Sequence, residues 1–104
     1  MGILNILFGK SSNAAYIKEM YLNGAIILDV RTPEEFKCGH IKNAINIPVQ
    51  ILDAATNSLK QQNRPVITVC QTGVRSSMAV GILKKAGIDA FNGGAWELLQ
   101  TQLR

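Results

Sequence analysis

Short apolar runs, separated by polar and turn-forming residues, divide the chain into strand-length pieces. Residues 25–30 form an apolar run without polar alternation, which is typical of a strand buried on both faces. Residues 44–48, 66–69 and 88–91 are further short runs of the same kind. These four segments predict the strands of a sheet that is covered on both sides.

Helices are predicted in the segments between these runs. Asn13 is a candidate N-cap for a helix with Ile17, Met20 and Tyr21 on one face, and Gly24 stands where that helix should end. Residues 32–35 match a capping box that begins a short helix before Gly39. Three more helical segments are predicted: residues 52–59 with Leu52, Ala55 and Leu59 on one face, residues 75–86 with Ala79, Ile82, Leu83 and Ala86 on one face, and residues 96–103.

The alternation of strands and helices over so short a chain predicts an α/β fold. We expect a small doubly wound parallel sheet of four to five strands with helices on both faces, and a turn at Gly93-Gly94. A length of 104 residues corresponds to one domain, and 47% hydrophobic against 17% charged residues excludes a disordered chain. Residues 1–10 are interpreted as an apolar N-terminal extension, and residues 11–104 as the domain.

Charge and the N-terminal pattern restrict the partner classes. The formal charge of +4 is scattered, with no basic stripe interleaved with aromatic residues, so no nucleic-acid partner is predicted. Residues 3–8 are apolar except for Asn5 and too short for a transmembrane segment, and no basic region precedes them as in a signal peptide. We expect them to pack on the domain or on a partner. A cytoplasmic location is the expectation, since a reducing compartment suits two free cysteines.

The segment from Cys70 to Ser76 is the strongest candidate for chemistry. It follows a predicted buried strand and precedes a predicted amphipathic helix, where free backbone N–H groups and the helix dipole favour negative charge. Such surroundings lower the pKa of a thiol and make it nucleophilic. Gly73 allows the backbone to curl into an anion-binding nest, and Arg75 adds positive charge. An inert core cysteine is the competing interpretation. The pattern predicts an anion-tolerant thiol but names no reaction.

Four motifs in order resemble those of a single-domain rhodanese, a sulfurtransferase. They are the Asp-Val-Arg step at residues 29–31, the Gly-His-Ile step at residues 39–41, the Cys-x-x-Gly-x-Arg loop from Cys70 to Arg75, and Gly93-Gly94 before Trp96. The resemblance extends over residues 13–102. It implies a rhodanese-like fold and an enzyme that moves sulfur through a covalent cysteine intermediate.

The implied reaction has two halves. The Cys70 thiolate would take the outer sulfur of a donor such as thiosulfate and become a persulfide, and a thiol, cyanide or a sulfur-accepting protein would then remove that sulfur. The persulfide would be held by a binding loop, within which Arg75 either attracts the donor or braces the loop through an acidic partner. That loop consists of Gln71, Thr72, Gly73, Val74, Arg75 and Ser76. No metal and no organic cofactor are implied.

Two other functions remain open from the sequence. The domain could be a sulfur carrier or docking module that a protein partner loads, without turnover of small donors. Cysteine-dependent phosphatases also place Cys before an amide cradle and Arg, but with five intervening residues. Here only four residues separate Cys70 from Arg75, which disfavours a phosphatase.

Residues outside the loop have supporting interpretations. Asp29 and Arg31 end a strand beside the expected active face and are candidates for orienting the loop. A structural ion pair that supports the turn is the preferred interpretation. His40 is interpreted as a hydrogen-bonded structural residue rather than a general base. Cys38 departs from the small or polar residue more common in this family. It is a candidate resolving thiol for Cys70, although a chance cysteine is the favoured interpretation.

Overall fold

The computed structural model describes residues 9–104, with side chains from residue 14 onward. The predicted apolar extension therefore lies largely outside the described residues, and the boundary at residues 10–11 stays a prediction. The elements, numbered in chain order, are α1 (Gly9–Leu22), β1 (Ile26–Asp29), α2 (Pro33–Lys37), β2 (Ile45–Asn46), a 3-10 helix (Val49–Ile51), α3 (Leu52–Gln61), β3 (Val66–Cys70), α4 (Val74–Lys85), β4 (Ala90–Ala95) and α5 (Trp96–Gln102).

The four strands form one parallel sheet in the order β2-β1-β3-β4. The chain moves from β1 outward to β2 and then returns past β1 to β3, so the direction of winding reverses between β1 and β3. Ligands of open α/β sheets bind beyond the carboxyl ends of the strands at such a reversal. The predicted α/β class is confirmed, and this point marks where a functional site is expected.

Helices cover both faces of the sheet and form two cores. On one face, Leu52 and Leu59 of α3 and Leu83 of α4 pack against strand side chains that include Leu28 and Cys70. On the other face, Met20 of α1 and Leu99 of α5 pack against Ile27, Ile67 and Val69. Successive strand residues point to opposite faces, which explains why β1 and β3 are apolar throughout. Within residues 9–104, no helix has both the length and the apolar character needed to cross a membrane.

Capping residues end or begin the helices largely as predicted. Gly24 has a positive φ of 99°, and the Ala25 N–H donates to Met20 O at 2.9 Å, so α1 ends in a Schellman turn. Thr32 and Glu35 form the predicted capping box at the start of α2. The prediction that Asn13 caps α1 is wrong, because α1 begins at Gly9 and Asn13 lies within it. Ser and Asn cost only a few tenths of a kcal/mol in a helix, too little to end it.

The fourth strand lies further along the chain than predicted, and Gly93-Gly94 is not a turn. Ile88 completes the Schellman turn of α4, with its N–H bonded to Leu83 O at 3.0 Å, and β4 runs from Ala90 to Ala95. Its register shifts so that Thr68 pairs with Asn92 but Val69 pairs with Gly94. Gly93 is the extra residue of this β-bulge. A glycine pair inside a bulged strand has the same sequence signature as a turn.

Gly93 is required by close packing. A Cβ added there would lie 2.8 Å from Ile67 Cγ2, 2.8 Å from the Thr68 carbonyl oxygen and 2.9 Å from Leu99 Cδ2. Two of these three atoms belong to buried side chains of the core, and the third belongs to the backbone of β3. The bulge therefore needs a residue without a side chain at this position.

Gly93→Ala is predicted to lower the free energy of unfolding by about 1–3 kcal/mol, because the added methyl group overpacks β3 and α5. The matched control is Gly81→Ala on the exposed face of α4, where a Cβ meets nothing within 4 Å. Alanine should raise stability there by about 0.5–1 kcal/mol. Urea denaturation of both variants tests this expectation, and equal stability of the two would contradict it.

Candidate active site

Cys70 lies at the carboxyl end of β3, beside the reversal of winding. Its neighbour Val69 pairs with Asp29 at the end of β1, and the Val30 N–H donates to Val69 O at 3.0 Å. Cys70 is 1% exposed, with its side chain in the core beneath α3 and α4. A nucleophile at this point faces the first turn of α4, which begins at Val74.

Backbone amides converge on the Cys70 sulfur. The Gly73 N–H donates to Sγ at 3.0 Å and the Ser76 N–H donates to it at 3.3 Å. Burial alone raises the pKa of the Cys70 thiol. Hydrogen bonds from Ser76, Gly73 and Thr72 outweigh this effect, so the pKa lies below its ordinary value. The sulfur thus occupies a site that favours its anionic form.

Gly73 gives the loop its shape. It is the N-cap of α4 with a positive φ of 103°, a conformation that is strained for residues with a side chain. Around it, Gln71, Thr72 and Val74 are exposed, whereas Ser76 is fully buried. These three exposed side chains carry no charge, and the Gln71 amide donates to Glu97 Oε1 at 3.4 Å.

Ser76 and Asn92 form a polar connection that the sequence did not reveal. The Cys70 thiol donates to Ser76 Oγ at 3.4 Å, and the Ser76 hydroxyl donates to Asn92 Oδ1 at 2.7 Å. Asn92 Nδ2 in turn donates to Gly73 O at 3.2 Å. Asn92 pairs with Thr68 of β3 directly before the bulge, which places it beside the loop, and a glycine pair that suggests a turn hides this position.

Arg75 pairs with Glu35, the kind of acidic partner that the bracing interpretation requires. Its Nη1 and Nη2 atoms donate to the two carboxylate oxygens of Glu35 at 2.7 and 3.0 Å. Glu35 Oε1 also accepts the Thr32 N–H at 3.1 Å. Chiefly because Arg75 donates to it, and next because Thr32 does, the pKa of Glu35 falls from 4.5 to about 2. The capping box of α2 thereby holds the arginine of the loop.

Asp29 and Arg31 form the predicted ion pair. Arg31 Nη2 lies 2.6 Å from Asp29 Oδ2, and both side chains are buried. The same nitrogen donates to Gly39 O at 2.8 Å, and the guanidinium carbon lies 4.7 Å from the ring centroid of Trp96. The pair therefore ties the end of β1 to the turn after α2 and to the start of α5.

His40 and Cys38 lie on the exposed side of the turn after α2. The His40 ring stacks on Phe36 with centroids 3.7 Å apart, and Nδ1 lies 2.7 Å from Phe36 O, which accords with a structural role. Cys38 is an exposed free cysteine, and no contact places it on Cys70. A chance surface cysteine stays the favoured interpretation, and the resolving role stays the alternative hypothesis. Among residues 9–104, no group of three or more His, Cys, Asp and Glu side chains is arranged to hold a metal.

Glu35→Gln is predicted to destabilise the fold by about 1 kcal/mol at neutral pH, because both ion-pair partners are about one third exposed and water screens the pair. Since the folded pKa of Glu35 is depressed, its contribution is fully present above about pH 4.5 and is lost as the pH falls toward 2. The stability gap between the parent and Glu35→Gln should therefore narrow below pH 4.5 in urea titrations. Glu34→Gln, at the neighbouring exposed position, is the control. If the difference in free energy of unfolding between the parent and Glu35→Gln did not change with pH, the depressed pKa of Glu35 would be contradicted.

Comparisons of the sequence and of the structure with known proteins point to the same family. The profile of the Rhodanese-like domain family matches residues 13–97. The uncharacterized protein YqhL of Bacillus subtilis is 43% identical over 85 residues, which cover 82% of this chain and 62% of YqhL. Thiosulfate sulfurtransferase 16, chloroplastic, of Arabidopsis thaliana is 40% identical over 89 residues, covering 75% of this chain and 74% of that protein.

A solved structure shows the same architecture. The human single-domain sulfurtransferase TSTD1 superimposes with a TM-score of 0.67 at 28% identity, covering 80% of this chain and 88% of that one. The chain spans less than two thirds of YqhL, so the activity of that whole protein is not carried over. The family profile covers the strand, loop and helix that form the Cys70 site. The chain belongs to the rhodanese-like domain family.

Proposed function

We propose that this domain is a sulfurtransferase in which Cys70 carries sulfur as a persulfide. The observation that supports the proposal most is the pair of backbone amides directed at Cys70 Sγ, from Gly73 and Ser76. These donors stabilise negative charge on sulfur at the start of α4, where the helix dipole acts in the same direction. A buried sulfur kept anionic is suited to nucleophilic attack.

The first half-reaction loads the cysteine. With thiosulfate as donor, the Cys70 thiolate attacks the outer sulfur, the new S–S bond forms, and the bond to the sulfonate sulfur breaks. Sulfite leaves with the electron pair, and the negative charge remains on the outer sulfur of the persulfide. No oxidant, metal or organic cofactor is needed for this exchange, because one sulfur nucleophile replaces another.

The second half-reaction unloads it. A thiolate, cyanide or a sulfur-accepting protein attacks the outer sulfur, and the Cys70 thiolate is the leaving group. The amides of residues 72–76 hold the outgoing charge in the same cradle. In this scheme Arg75 shapes the loop through Glu35, and the buried pair of Asp29 and Arg31 fixes the strand end beside it.

The relatives support this reaction class, and the site supports a reducing location. Thiosulfate sulfurtransferase 16 and TSTD1 are named as sulfurtransferases. A thiol kept free for catalysis works in a reducing compartment, so the proposal includes a cytoplasmic location and a domain comprising residues 11–104.

A second candidate is a sulfur carrier loaded by a protein partner. The exposed loop residues Gln71, Thr72 and Val74 carry no charge, and Arg75 is occupied by Glu35, so little positive charge is left to attract a small dianion. YrkF of Bacillus subtilis, whose name proposes a sulfur carrier, is 38% identical over 61 residues, which cover only 32% of YrkF. A phosphatase is disfavoured by the same occupied arginine and by the short loop.

Incubation with thiosulfate is predicted to add one sulfur, about 32 Da, to the intact protein, and cyanide should remove it, because an activated thiolate forms a transferable persulfide. Intact-protein mass spectrometry measures both steps. Cys70→Ala should show no gain, whereas Cys38→Ser, which removes the other cysteine, should gain sulfur as the parent does.

A sulfur gain that persists in Cys70→Ala would contradict the assignment of Cys70. A panel of donors separates the two candidates: turnover with small donors indicates an enzyme, and persulfidation only by a protein donor indicates a carrier. Hydrolysis of an aryl phosphate that disappears in Cys70→Ser would instead establish the phosphatase.

A further inference from the structure

One hydroxyl hydrogen has two possible acceptors beside Cys70. Ser76 Oγ lies 3.4 Å from Cys70 Sγ and 2.7 Å from Asn92 Oδ1. The Ser76 hydroxyl carries a single hydrogen and can donate only one strong hydrogen bond at a time. Ser76 itself is held in place, since it is fully buried and Thr68 Oγ1 donates to its carbonyl oxygen at 2.9 Å. Its hydrogen must therefore be directed either to the amide or to the sulfur.

Asn92 presents an acceptor to Ser76 because its other contacts fix the orientation of the amide. Its Nδ2 atom donates to Gly73 O at 3.2 Å, and its Oδ1 atom accepts the Gly94 N–H at 2.9 Å. If the amide were reversed, the Asn92 NH₂ group would face the Gly94 N–H, a donor against a donor. The Asn92 carbonyl oxygen would then face Gly73 O, an acceptor against an acceptor. The oxygen of Asn92 consequently faces Ser76 in the folded loop.

We propose that Asn92 is a positioning residue that competes with the Cys70 sulfur for the hydrogen of the Ser76 hydroxyl. With a neutral thiol, Cys70 donates to Ser76, which donates to Asn92. With a thiolate, the Ser76 hydroxyl turns its hydrogen to the sulfur, and Asn92 Oδ1 keeps the Gly94 N–H. Loss of the Asn92 carbonyl removes the competitor and favours the thiolate.

The same rotation of the Ser76 hydroxyl would accompany the movement of negative charge between the two sulfur atoms during sulfur transfer. When the persulfide forms, negative charge leaves Cys70 Sγ for the outer sulfur, and the Ser76 hydrogen returns to Asn92. When the acceptor takes the outer sulfur, the charge and the hydrogen return to Sγ. This extension rests on the proposed function, whereas the competition itself concerns only the thiol and needs no sulfur donor.

Other charged groups near Cys70 belong to elements that an Asn92 substitution leaves unaltered. Arg75 at the start of α4 acts on the sulfur and is neutralised by Glu35 of α2. Asp29 at the end of β1 is paired with Arg31, and Glu97 of α5 contacts Gln71 of the loop. A comparison made with and without the Ser76 hydroxyl cancels their contributions.

The test is the pH dependence of Cys70 alkylation by iodoacetamide, read by mass spectrometry in a Cys38→Ser background. Asn92→Ala is predicted to lower the midpoint by about one pH unit when Ser76 is present and to leave it unchanged in the Ser76→Ala background, because the competitor acts only through the hydroxyl. Ser76→Ala alone should raise the midpoint, since the thiolate then loses a donor. Asn57→Ala, on an exposed position of α3, should leave it unchanged.

Each outcome decides the proposal. A downward shift for Asn92→Ala that is absent in the Ser76→Ala background supports it. An equal shift in both backgrounds shows that Asn92 acts by holding Gly73 and overturns the proposal. A midpoint that does not move when Ser76 is present, or that rises only then, overturns it as well. Because no donor is added, these results are separate from success or failure of sulfur transfer. Thermal unfolding of each variant confirms that the compared proteins are folded.

Discussion

Negative charge on one buried sulfur atom is the constraint that the surrounding structure satisfies. Cys70 is only 1% exposed, so its thiolate loses the hydration that would stabilise it in water. The protein must therefore supply hydrogen-bond donors in place of water. The amides of Gly73 and Ser76 do so because β3 ends and α4 begins within a few residues of each other. The strand buries the cysteine and the helix start supplies unpaired N–H groups. Neither element alone would give a stable anionic sulfur.

Neighbouring elements keep this loop in one conformation. Glu35 belongs to the capping box of α2 and grips Arg75 with both oxygens, so the start of one helix fixes the start of another 40 residues away in sequence. Across the loop, Asn92 of β4 pairs with Thr68 and donates to Gly73 O. The bulge that follows depends on Gly93, which has no space for a Cβ. After the bulge, the Gly94 N–H donates to Asn92 Oδ1 and so fixes the orientation of that amide.

Local signals predicted the parts of the structure that local interactions determine. The apolar runs at residues 25–30 and 66–69 placed β1 and β3, and the capping box from Thr32 to Glu35 placed α2. The apolar face of residues 75–86 placed α4. Parallel order followed from their alternation. The Cys70 loop was found because strand, cysteine, glycine and arginine follow one another directly.

Contacts between distant segments could not be predicted in the same way. Glu35 was identified as a capping residue, but its pairing with Arg75 depends on the tertiary contact between α2 and the start of α4. Asn92 was overlooked because Asn-Gly-Gly is typical of a turn, whereas the register of β4 with β3 shows a bulge. Asn13 was assigned to a helix start because its side chain suits an N-cap, yet a single polar residue does not stop a helix. In each case tertiary packing decided between locally similar alternatives.

The central claim is that the loop lowers the pKa of Cys70 and so favours the anionic sulfur. The most direct test is an ultraviolet titration of thiolate absorbance in the Cys38→Ser protein, where Cys70 is the one remaining thiol. The account predicts a pKa clearly below the value of about 8.5 for a free cysteine, because the amide donors outweigh the cost of burial. A pKa at or above 8.5 would show that burial prevails, and Cys70 would then be a core residue rather than a sulfur nucleophile.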